Sequence, residues 1–263
     1  MKKIGEWLIL LGRKVLDFIT YIGAISLFFA KTIFWLFHPP YRIKHIIRQA
    51  AKIGVSSLPI VSLISLFTGM VLSLQSAYQM QKIQAEMYIA SLVALSMIRE
   101  LGPVLTALIV AGRCGAAITA EIGTMKVTEQ IDALETLATN PINYLVVPRF
   151  WALLISLTIL TIYADFIGII GGYIVGVYKL NIPHHMYVKM TFEPLTQSDV
   201  HNGLYKSFVF AIVICIISCF EGVRAQGGAE GVGKATTSSV VRSFVLIIAS
   251  DCFLTAFMYF MSR

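Results

Sequence analysis

The chain has 263 residues, 57% of them hydrophobic and only 13% charged, with a mean hydropathy of +0.78, where a soluble domain carries roughly 25% charged residues and at most about half apolar ones. Disorder and an ordinary soluble globule are excluded, because the apolar residues come in runs long enough to cross a bilayer. The net charge of +7, from 21 Lys and Arg against 14 Asp and Glu, sits mostly beside those runs, where anionic lipid headgroups rather than nucleic acid are the expected partner.

The N-terminus carries Lys2 and Lys3, then Glu6, Arg13, Lys14 and Asp17. It has no small-residue cleavage site after a compact apolar core, so it does not read as a removable signal peptide. Between Ile4 and Ile22 the residues Ile4, Trp7, Leu8, Leu11, Val15, Phe18, Ile19 and Ile22 fall on one helical face and the charges on the other. That pattern predicts an amphipathic helix lying in the headgroup plane. The stretch from Gly23 to Phe37 is short, contains Lys31 and stops at His38-Pro39-Pro40, so it is expected to extend this interfacial element rather than to span.

Arg42, Lys44, His45, Arg48 and Lys52 form a basic collar before the first predicted span, Ile53 to Tyr78. Further spans are predicted at about Tyr88 to Ala111, Phe150 to Tyr178, Leu204 to Phe220 and Val240 to Met261, giving five crossings. Placing the collar in the cytoplasm puts 15 of the 21 cations inside and five outside (Lys82, Lys179, Lys189, Lys206 and Arg263), with Arg99 inside a span. The N-terminus is then cytoplasmic and the C-terminus on the far side. The segment from Asn181 to Asn202 becomes an extracytoplasmic loop, and its His184-His185 pair, lacking a third ligand, reads as solvated rather than metal-binding. Cys114, Cys215, Cys219 and Cys252 have neither disulfide nor zinc spacing and read as small apolar side chains.

The most unusual stretch begins at Arg99-Glu100-Leu101-Gly102-Pro103. Charges inside an apolar span must face protein or water, and Pro103 after Gly102 predicts a kink. Two readings stay open here: a structural kink with a locally neutralised Arg99–Glu100 pair, or a break that lines a passage. Downstream, Val127, Ile131, Leu134 and Ala138 share a helical face while Glu129, Asp132 and Glu135 occupy a neighbouring one. This acidic ridge either docks on a partner or lies solvated on the protein's own cytoplasmic surface.

Gly228 to Lys234 has the glycine and lysine spacing of a phosphate-binding P-loop. Position 235 is alanine where the motif needs a hydroxyl, and the segment follows a membrane helix rather than a strand, so a close-packed loop is expected instead. Gly168, Gly171, Gly172 and Gly176 allow close helix approach. Asp165 has no second carboxylate at helical spacing, Glu221 reads as a boundary residue, and Asp251 is expected to hydrogen-bond across helices.

Taken together, Arg99-Glu-Leu-Gly-Pro-Val, Ala111-Gly-Arg, Thr119-Ala-Glu-Ile-Gly-Thr-Met125, Thr128-Glu-Gln-Ile-Asp-Ala-Leu, Pro148-Arg-Phe-Trp151 and Gly231-Val-Gly-Lys-Ala-Thr-Thr237 resemble the MlaE-type permeases of Mce-associated lipid ABC transporters, from roughly Gly54 to Thr255. The resemblance implies an all-α polytopic inner-membrane protein of the MlaE-type permease fold, with an N-terminal interfacial and collar region over 1–52 and a five-helix permease domain over 53–263. It implies a coupling helix at about 123–138 that contacts a cytoplasmic ABC ATPase through Glu121, Thr124, Met125, Lys126, Thr128, Glu129, Ile131, Asp132 and Glu135, and an extracytoplasmic loop over about 179–203. It also implies a lipid cavity at a homodimer interface, for which Gly69, Met70, Leu72, Leu74, Tyr78, Leu92, Leu95, Met97, Arg99 and Glu100 are the lining candidates.

The partners so implied are a second permease, ATPase subunits that hold the ATP and Mg, a ring of Mce-domain periplasmic proteins, a small STAS-type accessory protein and phospholipid. The implied role is ATP-driven phospholipid movement that maintains outer-membrane lipid organisation, with this chain non-catalytic and without a cofactor. The alternative from the residues alone is an ion-coupled secondary transporter or channel, resting on Glu100, Asp165 and Asp251. An intramembrane enzyme lacks a nucleophile with a base and a third group at workable spacing.

Overall fold

The computed structural model describes residues 2–39 and 42–261. Within that range the side chains of 2–11, 18 and 261 lie outside the described set, and with them much of the predicted apolar face (Ile4, Trp7, Leu8, Leu11, Phe18) and the charges of Lys2, Lys3 and Glu6, as does Arg263 beyond it. Every regular element among the described residues is helical: α1 (Lys2–Leu36), α2 (Ile43–Gln81), α3 (Glu86–Val127), α4 (Gln130–Thr136), α5 (Ile142–Tyr178), α6 (His184–Phe192), α7 (Gln197–Val223) and α8 (Gly228–Met261). Six helices are long and apolar enough to cross a membrane: α2, α3, α5, α7, most of α8, and Gly12–Leu36 of α1. The chain is an all-α, multi-pass membrane protein.

The N-terminal region forms one helix in which 23–36 continues the amphipathic segment, as an extension of it would, and its Gly12–Leu36 part is long and apolar enough to cross a membrane. No proline stands between Ile22 and Phe37, so the helix runs through Gly23 and ends at Leu36, just before Pro39. The helices also outrun the predicted spans. The basic collar is itself the start of α2, with the Arg42 guanidinium 4.2 Å above the Tyr144 ring. The predicted 179–203 loop contains α6 and the first turns of α7, where Thr196 and Asp199 form a capping box. The glycine-rich segment at 228–234 is no loop: α8 begins at Gly228, and only 224–227 separate it from α7.

The core of the bundle is the crossing of α2 and α5. On α2 the buried residues Ile53, Ser57, Val61, Ser65, Gly69, Ser73 and Ala77 recur every fourth position, a ridge of mostly small side chains. In lipid there is no hydrophobic drive between helices, so close van der Waals approach must hold them together. That approach reaches backbone contact: a Cβ on Gly69 would lie 1.8 Å from the Gly168 carbonyl oxygen, and one on Gly171 2.2 Å from that of Leu66. Farther along α5, Gly172 and Gly176 make room for the buried Tyr187 ring of α6. The opposite face of α2, with Val55, Leu63, Phe67, Val71, Leu74 and Tyr78, is exposed, as expected for a lipid- or partner-facing surface.

α3 is interrupted twice by π-helical turns, Met97–Leu101 and Ala111–Gly115. The kink expected at Gly102-Pro103 takes this form: the wide turn precedes Pro103, which lacks the N–H that a regular helix would use. Gly102 lies hard against the Asp165 carboxylate, since a Cβ there would lie 1.7 Å from Asp165 Oδ1 and displace that side chain. The single amphipathic helix predicted over 123–138 is two helices. α3 ends at Val127, Glu129 adopts a left-handed φ of 59°, and α4 starts at Gln130.

Candidate functional site

The first π turn sets the geometry of the charged site. Adjacent residues on a helix point in different directions, so Arg99 and Glu100 do not neutralise each other as one reading proposed; each binds a separate partner on α7. Arg99 places Nε and Nη2 each 2.6 Å from Asp199 Oδ1. Asp199 Oδ2 accepts the Thr196 backbone N–H at 2.9 Å and the Thr196 hydroxyl at 2.7 Å. One buried carboxylate thus caps α7 and orients Arg99, whose own side chain stays half exposed.

Glu100 meets Lys206. Lys206 Nζ lies 2.5 Å from Glu100 Oε2, donates to Thr255 Oγ1 at 2.7 Å, and stands 2.9 Å from Asp251 Oδ1 in an ion contact rather than an aligned hydrogen bond. Thr255 in turn donates to Glu100 Oε1 at 3.2 Å. Lys206, placed outside the bilayer by the sequence reading, is only 1% exposed. Desolvating an ammonium is expensive unless carboxylates surround it, and here α3 and α8 supply them. Arg99, Glu100, Ser198, Asn202, Lys206 and Tyr259 line a polar cavity of about 340 Å³ beside this cluster.

Beside the charges lies an apolar groove of about 470 Å³, lined by Leu63, Phe67, Val71, Leu72, Gln75 and Leu101. The proposed lining residues divide by exposure. Leu74, Tyr78 and Leu92 are exposed, and Met70, Leu72 and Leu95 are half-buried. Gly69 and Met97 are enclosed within the protomer, Gly69 by contact with Gly168 and Met97 beside that same glycine, so they support the wall rather than form its surface.

At the other end of α3 the coupling candidates divide as well. Thr124, Thr128, Glu129, Asp132 and Glu135 are exposed. Ile131 is buried and Met125 partly so, anchoring the turn. Lys126 reaches over the Thr128–Glu129 break to Asp132 at 2.8 Å. Glu121 is also exposed but is tied back to the bundle: its Oε2 lies 2.9 Å from the buried Arg149, and Lys52 is 3.9 Å from its Oε1.

The other acids are also placed. Glu221 is buried, accepting from Tyr21 at 2.7 Å and from Arg242, so it is an interhelical tie rather than a boundary residue. Asp165 Oδ1 has no hydrogen-bond partner among the described residues. His184 Nδ1 is 2.7 Å from the Tyr173 hydroxyl.

Asp199, Lys206 and Thr255 were missed as site residues. The T-x-x-D capping spacing at 196–199 and a lone lysine at the start of an apolar run were the available signals.

The family model described as Permease MlaE matches residues 46–257. A probable ABC transporter permease protein of Rickettsia typhi is 48% identical over 250 residues, covering 95% of this chain and 96% of that protein. The intermembrane phospholipid transport system permease protein MlaE of Haemophilus influenzae is 40% identical over 255 residues, covering 95% and 96%. A probable ABC transporter permease protein of a Synechocystis species is 42% identical, with 82% of each chain covered.

Proposed function

The chain belongs to the MlaE permease family, and on that premise we propose that it is the non-catalytic membrane subunit of an ATP-driven phospholipid transporter. It works as a homodimer in the bacterial inner membrane, with its N-terminus cytoplasmic and its C-terminus periplasmic. Separate cytoplasmic ABC ATPases hold ATP and Mg, a small STAS-type protein accompanies them, and a ring of Mce-domain proteins exchanges lipid on the periplasmic side. The consequence is maintenance of outer-membrane lipid organisation.

One observation carries the reading: a single helix, α3, bears the Arg99–Glu100 cluster near one end and the exposed α4 turn at the other. Acyl chains need an apolar wall, which the exposed face of α2 supplies through Phe67, Val71, Leu74 and Tyr78. A headgroup needs polar atoms, which Arg99 and the cavity beside Lys206 supply. Nucleotide-driven motion at Glu129, Asp132 and Glu135 reaches this cluster along α3, whose two π turns are places where its register can shift.

A pull-down from native membrane tests this reading. Wild-type protein is expected to bring down an ABC ATPase, an Mce-domain protein and phospholipid, and Glu129→Lys/Asp132→Lys to lose the ATPase alone. A wild-type protein that emerges alone and lipid-free would overturn the assignment.

A further inference from the structure

At the end of the bundle that carries the α3–α4 turn, α1, the end of α7 and the first turns of α8 enclose a groove of about 1000 Å³. It is at the opposite end of α8 from the Lys206 cluster. Ile22, Ile25, Val241, Val245 and Leu246 form its wall, and three cations against two carboxylates form its polar end: Arg224, Lys234 and Arg242 against Asp17 and Glu221.

These charges are not equally engaged. Glu221 is taken by Arg242 and the Tyr21 hydroxyl, and the Arg242 guanidinium lies 4.2 Å over the Tyr21 ring. Lys234 contacts Glu230 at 2.6 Å, but both side chains are more than three-quarters exposed, a pair of little strength in water. Arg224 has no carboxylate partner among the described residues; its guanidinium sits 5.1 Å from the Phe220 ring and 5.6 Å from that of Tyr21. An exposed guanidinium held over two rings is a preorganised donor for a phosphate. Against it stands only Asp17, exposed at the rim.

We propose that this groove binds one anionic phospholipid of the surrounding leaflet, with its phosphate on Arg224 and Lys234 and its acyl chains along Val241, Val245 and Leu246. The polar end and the apolar wall meet at one mouth, as in an amphiphile of this shape, and the surplus of positive charge selects an anionic headgroup over a zwitterionic one. The volume is at the upper end of the roughly 300–1,000 Å³ range of small-molecule sites. The site binds a resident lipid that wedges α1 against α8, and it depends on membrane insertion alone, not on the transport reading.

The test is native mass spectrometry of the full-length protein, purified with its bound subunits and titrated with phosphatidylglycerol or phosphatidylcholine. One tightly held phosphatidylglycerol per permease chain is expected in the wild type, weakened at least about tenfold by Arg224→Gln/Lys234→Gln, the loss of one or more charge-assisted bonds. Val245→Trp, which fills the wall without touching charge, is expected to weaken it as well, whereas Arg99→Gln, at the transport site, is expected to leave it unchanged. Equal retention of the two lipids, or phosphatidylglycerol retention indifferent to both groove variants, overturns the proposal. So does disulfide capture of a second permease through Val245→Cys, because a protein helix would then occupy the groove.

Discussion

Lys206 on α7 holds Glu100 on α3 at 2.5 Å while its own side chain is 2% exposed, so two spans are tied through a buried ammonium. Removing the cation alone strands Glu100 and Asp251. Both carboxylates keep some access to solvent, so Lys206→Met is expected to cost about 1.5–3 kcal/mol, the loss of charge-assisted bonds, read as a lower melting temperature of the solubilised protein. Lys206→Met/Glu100→Gln/Asp251→Asn is expected to recover most of that loss while leaving lipid transport impaired. An unchanged melting temperature for the single variant would mean that the cluster does not hold the spans together.

The α2–α5 crossing makes a second, purely steric prediction. Gly69→Ala puts a methyl group where the Gly168 carbonyl oxygen stands, and helix backbones cannot yield as a flexible side chain does. The expected cost is at least about 1–3 kcal/mol. Gly233→Ala on α8, where nothing lies within 4 Å, is expected to be neutral or to stabilise by roughly 0.5–1 kcal/mol. Thermal denaturation of the two variants side by side checks both signs.

Glu121 separates support from contact at the coupling end. Its carboxylate accepts from Nη2 of Arg149, whose side chain is 6% exposed, so Glu121→Gln is expected to cost about 1.5–3 kcal/mol of stability. Glu129→Lys, on an exposed turn, is expected to leave the melting temperature unchanged and to weaken ATPase binding. If Glu121→Gln lost the ATPase at full stability, Glu121 would be a direct contact.

Asp165 distinguishes lipid permease from ion-coupled transporter. Its Oδ1 has no hydrogen-bond partner among the described residues and lies against Gly102 beside the first π turn. Asp165→Asn keeps the shape and removes the charge, and ATP-dependent lipid transfer by the reconstituted complex is expected to survive it. A loss of ATP-independent ion flux carried by this chain alone would instead favour the ion-coupled reading.

The membrane class and the five long spans were legible because hydropathy acts through composition, and the close helix approach at Gly168 and Gly171 because only glycine permits it. The pairing of the charges was not legible. Lys206 looked like an exposed flanking lysine, since its partners Glu100 and Asp251 stand 106 and 45 positions away in the chain. The break at Thr128–Glu129 was hidden by an apolar periodicity that continues from Val127 to Ile131 across it. Asp199 was read as a loop residue because α7 begins a full turn and more before its apolar run does. The Gly228–Lys234 spacing suggested a loop, yet helix propensity at a terminus yields readily to packing, and Gly231 closes over the Gln226 carbonyl as α8 starts.

The central claim is that phospholipid passes along the exposed face of α2 toward the Arg99 cluster. The most direct measurement is photo-crosslinking from Leu74 and Tyr78 in the assembled complex, with and without ATP, using Ile159 on the exposed side of α5 as the reference position. Phospholipid adducts at Leu74 and Tyr78 that change with ATP, set against an ATP-independent background at Ile159, are the expected result. Adducts at all three positions that are equal and indifferent to ATP would contradict it, because the α2 face would then be ordinary lipid-facing surface.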